Sequence, residues 1–299
     1  MRDRDGMIAT GFSIDDLVAP LGAIVTGLDL RRELDGATVR RLIAALYRRR
    51  LLVFPDQELD FDAYERFAAL WGDLFLEPYD NMAEPGHPAI MAVGNTGGPL
   101  DTPEYRNGAA FWHTDRAYAP DPNAVTMLHC KLAPDEGGET FFTDLVAAHA
   151  ALDSAMQTEI DGLVAAHRYG AGEREDWEFG VHPMSEEQAK ELPPPGHHRL
   201  ARPHSVTGET VLYAPAGSWT EVEGLSSGEA SWLMRYLKLH AIDDRFVYRH
   251  SYRQGDLVLW DNTATMHCAA PIGPATDSAN RRLLHRIVAT GLPPLARSR

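Results

Sequence analysis

Two cysteines, Cys130 and Cys268, are all the thiol chemistry in 299 residues. No disulfide framework is implied, and the expected location is a reducing one, the cytoplasm. No uninterrupted apolar run reaches the roughly 18 residues of a membrane span. The charged opening Met1-Arg2-Asp3-Arg4-Asp5 leads into no apolar stretch of the kind a secretory signal needs. Basic charge is scarce: 28 Lys and Arg stand against 43 Asp and Glu, a formal net charge of -15. That balance argues against nucleic acid or an anionic membrane as partner, because both attract basic surface. Internal repeats, low-complexity tracts and Pro- or Ser-rich linkers are missing too, so residues 1–299 read as one domain. What is present is core-forming material, with 44% hydrophobic and 9% aromatic residues.

The apolar pattern divides into short strands and a few helices. Residues 12–30 alternate loosely between glycine turns. Leu34, Val39, Leu42, Ile43 and Leu46 fall at helical spacing, with Arg48, Arg49 and Arg50 as cations at the carboxyl end. Leu51-Leu52-Val53-Phe54, stopped by Pro55, reads as a buried strand, and Phe61 to Trp71 as a second helix. Residues 75–109 read as long loops apart from 89–93. Strands are expected at 124–130 and 140–144, and helices around 145–156 and 157–164. Further strands are expected near 202–204, 211–213, 246–250 and 256–260, with a helix near 226–241. Between 168 and 200 periodicity is lost, which reads as a lid-like insertion over a pocket. Its paired His197 and His198 read as exposed. The expected fold class is α+β, mainly β: a sandwich or barrel with helices packed outside.

Within Ala110-Phe111-Trp112-His113-Thr114-Asp115-Arg116, an imidazole and a carboxylate sit two residues apart. On an extended strand they would project to the same face and could share one metal ion. A third ligand is offered downstream by Asp261-Asn262-Thr263-Ala264-Thr265-Met266-His267. His113, Asp115 and His267 would then form a two-histidine, one-carboxylate triad that leaves positions open on Fe(II). Arg282, in Arg281-Arg282-Leu283-Leu284-His285-Arg286, could hold the distal carboxylate of a bidentate 2-oxo acid, assisted by the Thr140 hydroxyl.

The run W-H-T-D, the turn G-G-E-T 27 residues after His113, the block W-D-N-x-x-x-x-H and the block R-R-L-L-H-R occur in this order. Together they resemble the taurine dioxygenase and 2,4-dichlorophenoxyacetate dioxygenase family of Fe(II)/2-oxoglutarate oxygenases, over a core of about residues 14–291. The resemblance implies a double-stranded β-helix (jelly roll) with flanking helices. It implies His113, Asp115 and His267 as iron ligands and catalytic centre, Thr140 and Arg282 as 2-oxoglutarate ligands, and Arg286 facing the substrate's anionic group. Dioxygen would be the remaining co-substrate. Residues expected near the substrate are Tyr79, Asn107, Phe111, Arg116, Tyr118, Tyr169 and Arg286. Departures from the family pattern, Glu77 where the taurine enzyme has histidine and Ala109-Ala110-Phe111 ahead of W-H-T-D, argue against taurine. Asp115 itself argues against halogenation, which needs a non-coordinating residue there.

The resulting expectation is a dioxygenase that hydroxylates an unactivated C–H bond of a small carboxylate- or amino-acid-like substrate, releasing succinate and CO2. Alternatives are a non-catalytic 2-oxoglutarate- and metal-binding sensor on the same fold, and a zinc hydrolase using the same His/Asp/His set. Family members form dimers or tetramers, so a homo-oligomer is also expected.

Overall fold

A computed structural model describes residues 11–76, 83–96, 102–122, 124–180 and 185–296. Its centre is two facing sheets. The larger runs, through its middle, in the order Leu51–Phe54, Leu257–Asp261, Val125–Leu132, Leu283–Thr290, His87–Gly94. The smaller has Thr140–Asp144 between Val247–His250 and Thr265–Ala269, all antiparallel. This is the jelly-roll core that the sequence motifs imply, with helices on its outer faces.

Period-two alternation sorts side chains between layers. Leu51, Val53, Leu128, Cys130, Val258, Trp260 and Leu284 point between the sheets and meet Phe142 from the smaller one. Their neighbours Leu52, Phe54, Val125, Met127, Leu257, Leu259, Ile287 and Ala289 point outward. There they are covered by the helices Gly36–Arg49 and Phe61–Ala68, each opened by an aspartate cap, Asp35 and Asp60. On the smaller sheet Met266 and Cys268 face outward into a third cluster with Ala230, Leu233, Met234 and Leu237 of helix Ser227–Ala241. His267 therefore faces inward. Leu284 and Arg286 share one side of the strand Leu283–Thr290, and Arg282, just ahead of it, lines the same cavity as Arg286.

Several elements depart from expectation. The two helices expected over 145–156 and 157–164 are Leu145–Ala150 and Ser154–Ile160: the break falls earlier because Asp153 caps a new start through its bond from Met156 N, and Val164 already begins a strand. The 168–200 excursion is tied at both ends: Val164–His167 pairs with Gly196–Arg199 and with Trp219–Val222. His197 and His198 therefore do not share one environment. His197 is exposed, while His198 is buried with Nε2 3.0 Å from Ala119 O.

Candidate active site

The H-x-D segment is not an extended strand throughout. His113 N donates to His267 O (3.0 Å) and His267 N donates to His113 O (2.8 Å), forming one isolated antiparallel bridge. The chain then turns, with Ala117 N bonded to Thr114 O at 3.2 Å and Arg116 at φ 53°. Asp115 still reaches back to the histidines. Its Oδ1 lies 3.7 Å from His113 Nε2 and 3.9 Å from His267 Nε2. One donor atom from each of the three residues lies within 4.8 Å of the others. Gly217 makes this approach possible. At φ +96° it occupies left-handed space, and a Cβ there would stand 2.9 Å from His113 Cβ.

Two of the three donors are oriented by a hydrogen-bonding neighbour. His113 Nδ1 is 2.8 Å from Phe111 O. A carbonyl only accepts, so Nδ1 carries the hydrogen and Nε2 presents its lone pair toward Asp115. Asp115 Oδ2 accepts from Thr126 Oγ1 at 2.7 Å. Its backbone is clasped by Asn262, whose Oδ1 accepts from Asp115 N (3.0 Å) and whose Nδ2 donates to Asp115 O (2.9 Å). Burial alone would raise the Asp115 pKa. It is outweighed by Arg286, whose Nη2 is 3.2 Å from Oδ1, by the two histidines and by Thr126. The carboxyl is thus held well below its usual range, as an anion. Burial depresses His113, against the pull of Asp115, and burial with His113 beside it pushes His267 down to about 3. The site is two neutral imidazoles and one carboxylate, a donor set that suits Fe(II) or a similar divalent ion.

On another wall of the same cavity are Thr140 and Arg282. Arg282 is buried, its Nε donates to Gly138 O at 2.9 Å, and its backbone N donates to Asn95 Oδ1 at 2.7 Å. Gly138, at φ +72°, leaves room for the arginine stem: a Cβ would lie 2.9 Å from Arg282 Cδ. Among the described residues no carboxylate lies within ion-pair distance of Arg282, and burial pulls its pKa down. A buried guanidinium left without a counter-ion favours an anion from outside the chain.

Of the other residues expected near a substrate, Phe111, Arg116, Tyr118, Tyr169 and Arg286 line this cavity. Tyr118 and Tyr169 meet edge to face at 5.3 Å, and the Arg116 guanidinium covers the Phe75 ring at 3.9 Å. Asn107 is a correction. Its side chain is buried and holds Ile272, accepting from Ile272 N at 2.8 Å and donating to Ile272 O at 3.4 Å, and it does not line the cavity. Tyr79 and Glu77 lie outside the described residues. Reading the sequence missed Tyr105 and Arg106, which also line the cavity, and it gave no role to Thr126. Asn262 stood inside a recognised block without being assigned a job.

The 168–200 excursion contributes Tyr169 and Gly170 to the wall, and it also braces the metal-site segment. Phe179 N donates to Ala110 O (3.0 Å), and Glu178 Oε1 accepts from Trp112 N (2.9 Å). Glu178 Oε2 accepts from Glu175 N (2.8 Å) and pairs with Lys238 Nζ, both side chains being almost fully buried. The Arg174 guanidinium lies 4.1 Å over the Phe111 ring, which in turn packs 4.6 Å from the His113 ring.

Comparison with known proteins agrees with this geometry. The family model described as "Taurine catabolism dioxygenase TauD, TfdA family" matches residues 13–288. The alpha-ketoglutarate-dependent 2,4-dichlorophenoxyacetate dioxygenase of Cupriavidus pinatubonensis is 31% identical over 272 residues, 88% of this chain and 92% of that protein. The (S)-phenoxypropionate/alpha-ketoglutarate-dioxygenase of Sphingobium herbicidovorans is 28% identical over 274 residues, 88% of this chain and 91% of its own length. The solved structure of AAD-2 in complex with Mn(II) and N-oxalylglycine superimposes with a TM-score of 0.76 at 28% identity, covering 96% of this chain and all of that one (100%). A match that runs from the first strand to the last, on a fold and a His-Asp-His cluster that agree with it, shows that the chain belongs to the TauD/TfdA family of dioxygenases.

Proposed function

We propose that the protein is an Fe(II)- and 2-oxoglutarate-dependent dioxygenase that hydroxylates a small aromatic carboxylate. The observation that carries the reading is Arg282: a buried cation without a carboxylate partner among the described residues, beside Thr140, on the wall of the cavity that holds His113, Asp115 and His267. A dicarboxylic 2-oxo acid supplies what both ends of that cavity call for. Its 2-oxo carboxylate end can chelate the metal, and its far carboxylate can pair with Arg282. The AAD-2 structure, holding Mn(II) and N-oxalylglycine, supports this reading. N-oxalylglycine differs from 2-oxoglutarate by an N–H in place of a methylene.

His113, Asp115 and His267 would hold the iron, and when bound it supplies the dioxygen activation that converts substrate, 2-oxoglutarate and O2 to hydroxylated product, succinate and CO2. The chain's own part is positional. The Phe111 carbonyl and the Thr126 hydroxyl fix the faces that His113 and Asp115 present. Tyr105, Phe111, Tyr118 and Tyr169 give aromatic walls, while Arg106, Arg116 and Arg286 give cations. That combination favours a ring bearing an anionic group over an aliphatic amine. The two curated relatives above, named for 2,4-dichlorophenoxyacetate and (S)-phenoxypropionate, support the same class.

The test is succinate release from 2-oxoglutarate in the presence of Fe(II), O2 and a panel of aryl and aryloxy carboxylates. Stimulation by a panel member is expected in the wild type, with loss in His113→Ala and Asp115→Ala, and with weakened 2-oxoglutarate binding in Arg282→Ala. Full turnover in either ligand variant would overturn the metal assignment. Activity that survives with zinc and without 2-oxoglutarate would overturn the reaction class.

A further inference from the structure

We infer that Tyr252 is a positioning residue for the co-substrate: its phenol fixes the direction in which the Thr140 hydroxyl donates, aiming that hydrogen at the distal carboxylate of 2-oxoglutarate. The inference rests on the 2-oxoglutarate reading above and extends it to a residue outside the recognised motifs.

Tyr252 lies in the turn between Val247–His250 and Leu257–Asp261. Its hydroxyl donates to Thr140 Oγ1 at 3.1 Å, and both residues are buried. A threonine hydroxyl has one hydrogen and two lone pairs, and its hydrogen rotates to suit its surroundings. Once a lone pair of Oγ1 is occupied by the tyrosine hydrogen, the threonine hydrogen cannot also point at Tyr252. The backbone of Thr140 offers little freedom, since it is paired with His250 on one side and Ala269 on the other. Thr140 lines the cavity, so the cavity is where its hydrogen is left to donate. Accepting one hydrogen bond also polarises a hydroxyl and strengthens the bond it donates.

The phenol is itself held in place. Its ring meets the His250 ring edge to face at 4.6 Å, and His250 Nε2 is 3.2 Å from Asp256 Oδ2, which also accepts from Arg253 N at 2.8 Å. Burial raises the Tyr252 pKa well above the usual phenol range, so the hydroxyl keeps its hydrogen throughout working pH. The same ring stands 5.7 Å from the Arg282 guanidinium carbon. Tyr252 thus touches both groups of the carboxylate cradle without lining the cavity.

The experiment measures equilibrium binding of 2-oxoglutarate to the Fe(II)-loaded protein under argon, by calorimetry. The wild type is compared with Tyr252→Phe, Thr140→Val, the double variant and Arg282→Ala. Removing the phenol hydroxyl should weaken binding about five-fold, the effect of one neutral hydrogen bond. Thr140→Val should weaken it by at least as much, and the double variant should bind no more weakly than Thr140→Val alone. Binding of 2-oxobutyrate, which lacks the distal carboxylate, should be unchanged in Tyr252→Phe, and kcat at saturating 2-oxoglutarate should be preserved. If Thr140→Val weakens binding and Tyr252→Phe does not, or if the two effects add, the relay is overturned while the co-substrate reading stands. Equal weakening toward 2-oxobutyrate would also overturn it, as general loosening of the site. If neither Thr140→Val nor Arg282→Ala affects binding, the co-substrate reading fails with it.

Discussion

Asp115 has both carboxylate oxygens committed before any metal arrives. Oδ2 accepts from Thr126, and Oδ1 faces both imidazoles and the Arg286 guanidinium. Thr126 is the second residue of the central strand Val125–Leu132, paired with Trp260 on one side and Val288 on the other, so the bond anchors Asp115 to the larger sheet. Thr126→Val keeps the shape and removes the donor, leaving a buried carboxylate oxygen unpaired, at about 1–3 kcal/mol. The metal-binding face of Asp115 would then be free to rotate. Apparent Fe(II) affinity, measured by competition with a chelator, should fall on the order of 10-fold to 100-fold, as for other outer-shell partners of metal ligands. Affinity equal to wild type would remove Thr126 from the site. The same residues show what a sequence can reveal. His113 and Asp115 are two positions apart, so local spacing exposes them, whereas Arg286 is placed by the family resemblance of the block that holds it. Thr126 acts on a residue 11 positions away, Glu178 on one 66 away and Tyr252 on one 112 away, and no local spacing rule connects any of these pairs.

Among the elements, the excursion after Val164–His167 is better described as a brace than as a free lid over residues 174–179. Glu178 joins three pieces of chain: the Trp112 backbone next to His113, its own turn at Glu175, and Lys238 on helix Ser227–Ala241. Removing one partner of a buried ion pair strands the other, at roughly 3–5 kcal/mol, whereas replacing both by neutral groups costs far less. Glu178→Ala should therefore lower the urea midpoint strongly and open residues 168–180 to proteolysis. Glu178→Gln combined with Lys238→Met should recover part of the loss, because the glutamine oxygen still accepts from Trp112 N while its NH2 cannot accept from Glu175 N. A Glu178→Ala protein with the wild-type midpoint and protease pattern would show that the pair braces nothing. Nothing in the polar composition of this stretch announces such a pair. The elements that were legible are those with one clear face, such as Gly36–Arg49 and Ser227–Ala241, both amphipathic and capped. Leu283–Thr290 does not read as a strand from its sequence because it is covered on both sides, by helices outward and by the cavity and inter-sheet core inward. Its sequence therefore lacks the polar–apolar alternation of a half-exposed strand.

Taken as a whole, the molecule sets two responses to acid against each other. Its charge of -15 means that mild acidification relieves self-repulsion, which favours the folded state. Buried neutral imidazoles act in the opposite sense. His129 sits under helix Phe61–Ala68 with Nε2 2.7 Å from Gln57 O, and burial pushes its pKa down to about 4. His167, with Nδ1 3.1 Å from Ser218 Oγ, is pushed to about 3 by burial and by His198 and Arg202 beside it. An unfolded histidine titrates near 6.5, so between that pH and the folded value the unfolded chain binds a proton that the folded chain refuses. Stability contributed by each therefore falls as pH drops through 6.5 and levels off near 4 for His129 and near 3 for His167. By pH 5 each histidine should have removed about 2 kcal/mol relative to neutral pH. His129→Gln keeps an N–H for the Gln57 carbonyl and cannot titrate. Urea denaturation at pH 7.5 and pH 5 should therefore show a drop in the wild type that is smaller by about 2 kcal/mol in the variant, the surface-charge contribution being common to both. Equal drops in the two proteins would mean that His129 is protonated in the folded state, and that its acceptor bond to Gln57 offsets more of its burial than this account allows.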